Sequence, residues 1–128
     1  MKYRVVVILA ASACLFAARA GAHHSFAATY FEDKTQTIEG TLVQFIFRNP
    51  HSFVHVEAPD DNGQMVRWAV EWAATAQLKE AGVDYQSLKP GDHVVVTGNP
   101  GRNPADHRLR MRSVERPKDG WKWSGTVQ

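Results

Sequence analysis

Cysteine is almost missing from this 128-residue chain: Cys14 is the one thiol, and it lies in an apolar stretch close to Met1. If that stretch is removed, the rest has no disulfide, no thiolate metal ligand and no cysteine nucleophile. Lipid attachment at Cys14 is disfavoured, because Ala11-Ser12-Ala13 carries no Leu and the apolar run before it is short. No apolar run is long enough to cross a bilayer, since a spanning helix takes about 20 residues. The familiar catalytic signatures are missing as well. There is no Gly-x-Ser-x-Gly elbow, no phosphate loop, no dinucleotide fingerprint and no His-Glu-x-x-His.

Excess charge of one sign is also lacking. Lys2 and Arg4 precede an apolar run from Val5 to Ala18, and the small-x-small sites Ala18-Arg19-Ala20 and Ala20-Gly21-Ala22 follow. That layout predicts a secretory signal peptide over residues 1–22, cut after Ala20 or Ala22, and a mature protein in the periplasm or secreted. Removing Lys2, Arg4 and Arg19 turns the formal +2 of the whole chain into about −1. A near-neutral mature chain gives no electrostatic case for nucleic acid. About 106 residues remain, enough for one small domain at 23–128 and no transmembrane segment.

From Thr35 onward, strand-like runs alternate with turn signals. The expected strands are Thr35 to Phe47, Ser52 to Ala58, Met65 to Trp72, His93 to Thr97 and Arg108 to Glu115. In the first, apolar parity shifts after Leu42, from Ile38 and Leu42 to Val43, Phe45 and Phe47, which predicts a bulge at Leu42-Val43. Ala73 to Ala81 reads as a short helix stopped by Gly82. Five strands with one helix between the third and fourth predict an all-β fold, a five-stranded, partly open barrel of the oligonucleotide/oligosaccharide-binding (OB) type with a C-terminal tail. A sandwich or roll in the same strand order is the alternative. The expected core is Leu42, Val54, Val56, Trp68, Val70, Val94, Val96, Leu109 and Met111.

The chemistry of this chain lies in its histidines. Signal removal places a free amine beside His23 and His24. With Gly21 first, the amine, two backbone nitrogens and the His23 ring make the square-planar nitrogen set that suits Cu(II). With His23 first, its amine and ring chelate together and another imidazole completes the site. His51, after Asn49-Pro50 at a strand entrance, is the expected partner. His55 is excluded from the same ion, because four strand residues span about 13 Å. The competing view makes His23 and His24 a polar, mobile start.

Arg108, Arg110 and Arg112 alternate with Leu109 and Met111, so a strand would place the arginines on one face. Such a stripe suits an anionic ligand, or it pairs with Glu39, Glu57 or Glu71. Trp121 and Trp123 either cover a barrel end or stack on sugars or a partner. Glu71, between Trp68 and Trp72, is the one carboxylate in an apolar setting.

Taken together, His23-His24-Ser25-Phe26, Asn49-Pro50-His51, Trp68-x-x-Glu71 and Leu88-x-x-Gly91-Asp92-x-Val94-x-Val96-x-Gly98-x-Pro100 resemble a family of small secreted bacterial proteins classed only as a domain of unknown function. The resemblance covers His23 to Val114. It implies a signal peptide followed by His-His-Ser, a compact β-barrel-like domain and no assigned activity. The residues carried over are His23, His24, Asn49, His51, Trp68 and Glu71. Residues 71–75 lack a Gly- or Pro-containing turn expected there, and the Arg102 to His107 loop is longer and more basic.

The expected function is therefore a periplasmic, non-enzymatic binding protein, with copper as the first ligand, held by His23, His24 and His51. The rival is an accessory domain that docks an anionic glycan or a protein partner through Arg108, Arg110, Arg112, Trp121 and Trp123. An N-terminal-His copper oxidase is chemically open, but the sequence marks no broad flat substrate face for it.

Overall fold

A computed structural model of the chain describes residues 26–128. The segment 1–22 expected to be a signal peptide, with Cys14, and the pair His23 and His24 lie outside the described residues.

A helical turn at 26–29 leads through Tyr30 into the strands β1 (Gln36–Ile46), β2 (Phe53–Pro59) and β3 (Met65–Glu71). Helix α1 (Thr75–Glu80) follows, then β4 (His93–Pro100), a 3-10 turn at Pro104–Asp106, β5 (Arg108–Arg116) and β6 (Trp121–Ser124). Neighbouring strands run β3-β2-β1-β4-β5-β6, and a parallel pairing of β3 with β5 joins the two sides into a closed five-stranded barrel. The expected barrel is present. Its closure rests on the short ladder Ala69 to Arg108, Val70 to Leu109 and Glu71 to Arg110.

The first strand serves two neighbours. Gln36 to Thr41 pair with β4, and Thr41 to Ile46 pair with β2. The change of partner needs a bend, and the register on β2 jumps between Leu42 and Gln44, at the bulge the parity shift predicts. Gly40 sits just before it. A Cβ there would collide with the carbonyl oxygen of Glu57, so only glycine lets β1 and β2 approach this closely.

Strand alternation buries one face of every strand. All nine expected core residues are buried, and Trp72, Leu78, Val83, Leu88 and Val114 join the same cluster. The helix is shorter than its apolar pattern suggests. Ala74 offers no side-chain cap, and Asn49 supplies one from the β1–β2 loop: its Oδ1 accepts from the Thr75 amide and hydroxyl, each at 3.0 Å. Gly82, at φ +78°, ends the helix in the left-handed conformation that glycine tolerates.

The expected C-terminal tail is in part a strand. β6 pairs with the end of β5, Trp121 opposite Arg116 and Trp123 opposite Val114. Trp123 packs edge-on against Trp72 with ring centroids 5.3 Å apart. β4 also runs three residues past its expected end, because Gly98 to Pro100 continue the ladder against Met111 to Leu109.

Candidate functional site

The barrel seam between β3 and β5 carries the chemistry. Val70 points into the core, so Glu71, the next residue, projects from the opposite face at the end of β3. The N-terminal segment lies over this face. It delivers Phe26 and the fully buried Tyr30, whose hydroxyl donates to Glu71 Oε2 at 2.5 Å. Arg108 Nη2 donates to the same oxygen at 3.2 Å. His51 Nδ1 lies 2.6 Å from the other oxygen, Oε1. One carboxylate thus gathers a phenol, a guanidinium and an imidazole from three separate parts of the chain.

The electrostatics assign the protons. Burial, reinforced by the hydrogen bond to Glu71 and its charge, pushes the Tyr30 phenol well above its ordinary range, so it stays a donor. Arg108 supplies a compensating positive charge at 3.2 Å. An ionised Glu71 can only accept, so Nδ1 of His51 carries its proton toward Oε1. A neutral His51 then has its lone pair on Nε2. The His51 side chain is 26% exposed and that of Arg108 34%, against 11% for Glu71, so both reach outward, and of the two only the imidazole offers a lone pair. Phe26 fixes its tilt, stacking on it at 5.4 Å and 28°.

Phe26 also bears the guanidinium of Arg110, 3.9 Å from its ring centroid. Arg110 is buried, donates to the carbonyl of Val127 and lies 3.5 Å from Glu32. Burial lowers its pKa while the charge of Glu32 opposes the shift. The arginine stripe is therefore divided. Arg108 serves Glu71, Arg110 ties the N-terminal segment to the C-terminus, and Arg112 is exposed and reaches Thr126 at 3.3 Å. Trp123 is 8% exposed and belongs to the core, so it has no free face on which a sugar could stack. Trp121 is half-buried beneath Arg116.

The other histidines stand apart. His55 is on the outer face of β2 between Gln44 and Ala69, and its Nδ1 is buried without a hydrogen-bond partner. His93 contacts Glu39 at 2.9 Å on the exposed side of the β1–β4 ladder. His107 lies edge-on to Trp68 and 4.0 Å from Asp60. Among the described residues, no three His, Cys, Asp or Glu side chains group as a metal site. Of these imidazoles, His51 is the one held by a mostly buried carboxylate, whereas the His93–Glu39 pair is exposed. In the sequence, His24 precedes Phe26 by two residues.

Two members of the site carry little signal in the sequence. Tyr30 stands beside Phe31 ahead of the polar run Glu32 to Thr37, and nothing local reveals that it folds onto Glu71. Phe26 stands out only as the last residue of His-His-Ser-Phe. The pairing of Arg108 with Glu71 was legible as one of three possible acidic partners.

Residues 11–110 match the family model DUF6152, described as a family of unknown function. The chain belongs to this family. The match takes in His23, His24, Asn49, His51, Trp68 and Glu71 as well as Tyr30 and Arg108 of the network. No curated protein and no solved structure matches the chain.

Proposed function

We propose that the protein is a periplasmic, non-enzymatic binding protein for a transition metal, copper first, with His51 as a fixed imidazole donor. The N-terminal amine and His23 or His24 supply the remaining nitrogens. The observation that carries this reading is the 2.6 Å contact between His51 Nδ1 and Glu71 Oε1. A carboxylate on one ring nitrogen is the usual support for a histidine that binds metal through the other, because it fixes the tautomer and raises ligand basicity. Stacking on Phe26 holds the ring plane, and the same residue ties this histidine to the chain segment that carries His23 and His24. The near-neutral mature charge and the engaged Arg108 and Arg110 favour a metal over an anionic glycan.

The test is a Cu(II) titration of protein purified from the periplasm, with its N-terminus established by intact mass. The mature chain is expected to begin at Gly21 or His23 and to bind one Cu(II). An added N-terminal Met is expected to weaken binding strongly by displacing the amine, and His23→Ala to abolish it. Equal affinity in the wild type and the His23→Ala, His24→Ala double variant would overturn the reading. So would a mass that retains Met1.

A further inference from the structure

A second feature of the fold lies away from His51. The β2–β3 hairpin turn, the segment before β1 and the loop between β4 and β5 enclose a cleft of about 430 Å³. Its lining includes Lys34, Asp60, Asp61, Trp68, Asn103 and His107. The size falls at the small end of the range for small-molecule sites, about 300–1,000 Å³.

The walls are held in place from several sides. Asp60 Oδ1 accepts from the amides of Asn62 and Gln64, both at 2.9 Å, and fixes the hairpin turn. The Arg102 amide donates to Thr29 at 2.8 Å, and its Nε donates to Ala27 at 2.6 Å, which pins the β4–β5 loop to the N-terminal segment. His107 takes a left-handed backbone, φ 45° and ψ 57°, uncommon for a residue other than glycine, and its ring meets the edge of Trp68 at 5.4 Å.

The groups on the cleft walls indicate its ligand. Trp68 is 95% buried and lines the cleft, while its indole nitrogen is closed to water and has no acceptor among the described residues, so Trp68 offers the cleft apolar ring surface. Lys34 lies over the Phe31 ring at 4.0 Å and forms no ion pair among the described residues. The acceptors are just as incompletely used: Asp60 Oδ2 is 4.0 Å from His107, beyond a hydrogen bond, and Asp61 holds Gln36 with Oδ1 alone. A simple anion would meet Asp60 and Asp61, and a simple cation would meet Lys34 and Arg108. A hydrocarbon would leave all of them desolvated without partners. Hydroxyl groups both donate and accept, so one polyhydroxylated molecule satisfies both kinds of group, with Trp68, Pro100 and Pro104 against its C–H surfaces.

We propose that this cleft binds a neutral saccharide of one or two rings, with Asp61 and Lys34 as the polar contacts and Trp68 as part of the apolar wall. Arg108 borders both this cleft and the Glu71 network, and none of the saccharide contacts involves His51. The cleft's β4–β5 loop is one of those through which barrels of this type take oligosaccharides.

The experiment is an NMR titration of the labelled full chain with N-acetylglucosamine, cellobiose and maltose, followed at the Trp68 indole N–H and the backbone amides of Lys34, Asp61 and His107. Saturable shifts at these positions with at least one sugar are expected. Asp61→Ala and Lys34→Ala are each expected to weaken that binding about tenfold, the scale of a lost hydrogen bond to a charged group, in protein whose spectrum stays folded. Trp68→Phe should weaken it by shortening the apolar wall. The same titration is run with glycine, sulfate and putrescine. Shifts from one of these with none from the sugars would overturn the proposal, as would no response to any sugar or sugar binding unchanged in both Asp61→Ala and Lys34→Ala.

Discussion

Glu71 Oε1 lies 2.6 Å from Nδ1 of His51, although the two residues are 20 positions apart and belong to different elements. The contact exists because the β1–β2 loop and the end of β3 meet beside the barrel seam, where the Ser52 amide donates to the Ala73 carbonyl at 3.0 Å. The Trp72 amide donates to the Ser52 carbonyl at 2.8 Å. A rigid backbone on both sides makes this a positioned pair instead of two surface side chains that happen to touch.

Tyr30 tests whether the network is structural as well as functional. Tyr30→Phe removes a buried donor from an ionised acceptor and leaves the ring in place. The expected cost is about 1.5–3 kcal/mol in urea unfolding, the range for a hydrogen bond to a charged group. No change in the unfolding midpoint would mean that Arg108 and His51 alone satisfy Glu71.

His55 gives a prediction about pH. Burial first, then the charges of Arg67 and Arg48, hold its pKa below the ordinary value. As pH falls through about 6.5, the unfolded chain takes up a proton at this residue before the folded chain does. The His55 contribution to stability is therefore full above that pH and is lost as pH drops toward the folded-state value. An NMR titration of the His55 ring should give a pKa below 6.5. A value at or above that of a free histidine would contradict the environment described for β2.

Gly40 carries the bend of the first strand. Gly40→Ala is expected to destabilise the barrel by about 3 kcal/mol or more, since the new methyl group meets the backbone of β2 where movement would open the ladder. Circular dichroism melts of the variant check this. A melting temperature within a degree or two of the wild type would show that β1 and β2 can separate at no cost.

Much of the barrel was legible because alternation is a strong signal when one face is buried. Trp68 and Val70, or Leu109 and Met111, leave no second register that keeps both members inside. The bulge showed for the same reason: Leu42 and Phe45 are both inward-facing with two residues between them. β6 escaped because Trp121-Lys122-Trp123 is too short and too polar to read as a strand, and only β5 provides its partner. The candidate site was half legible. His51 stood out by its place after Asn49-Pro50. The supporting carboxylate was noted only as unusual, because joining Glu71 to His51, Tyr30 and Arg108 requires long-range pairing that local pattern does not encode. The arginine stripe misled for the same reason: facing on a strand was correct for Arg108 and Arg110, while the groups that cover them come from the two ends of the described chain.

The central claim is that Glu71 orients His51 as a metal ligand, and pulsed electron paramagnetic resonance of the one-to-one Cu(II) complex tests it most directly. The account predicts an imidazole nitrogen coupling that disappears in His51→Ala, and an affinity about 10–100-fold lower in Glu71→Gln, the usual cost of losing such a supporting carboxylate. The His55→Ala spectrum should be unchanged. Identical spectra and affinities in the wild type, His51→Ala and Glu71→Gln would contradict it.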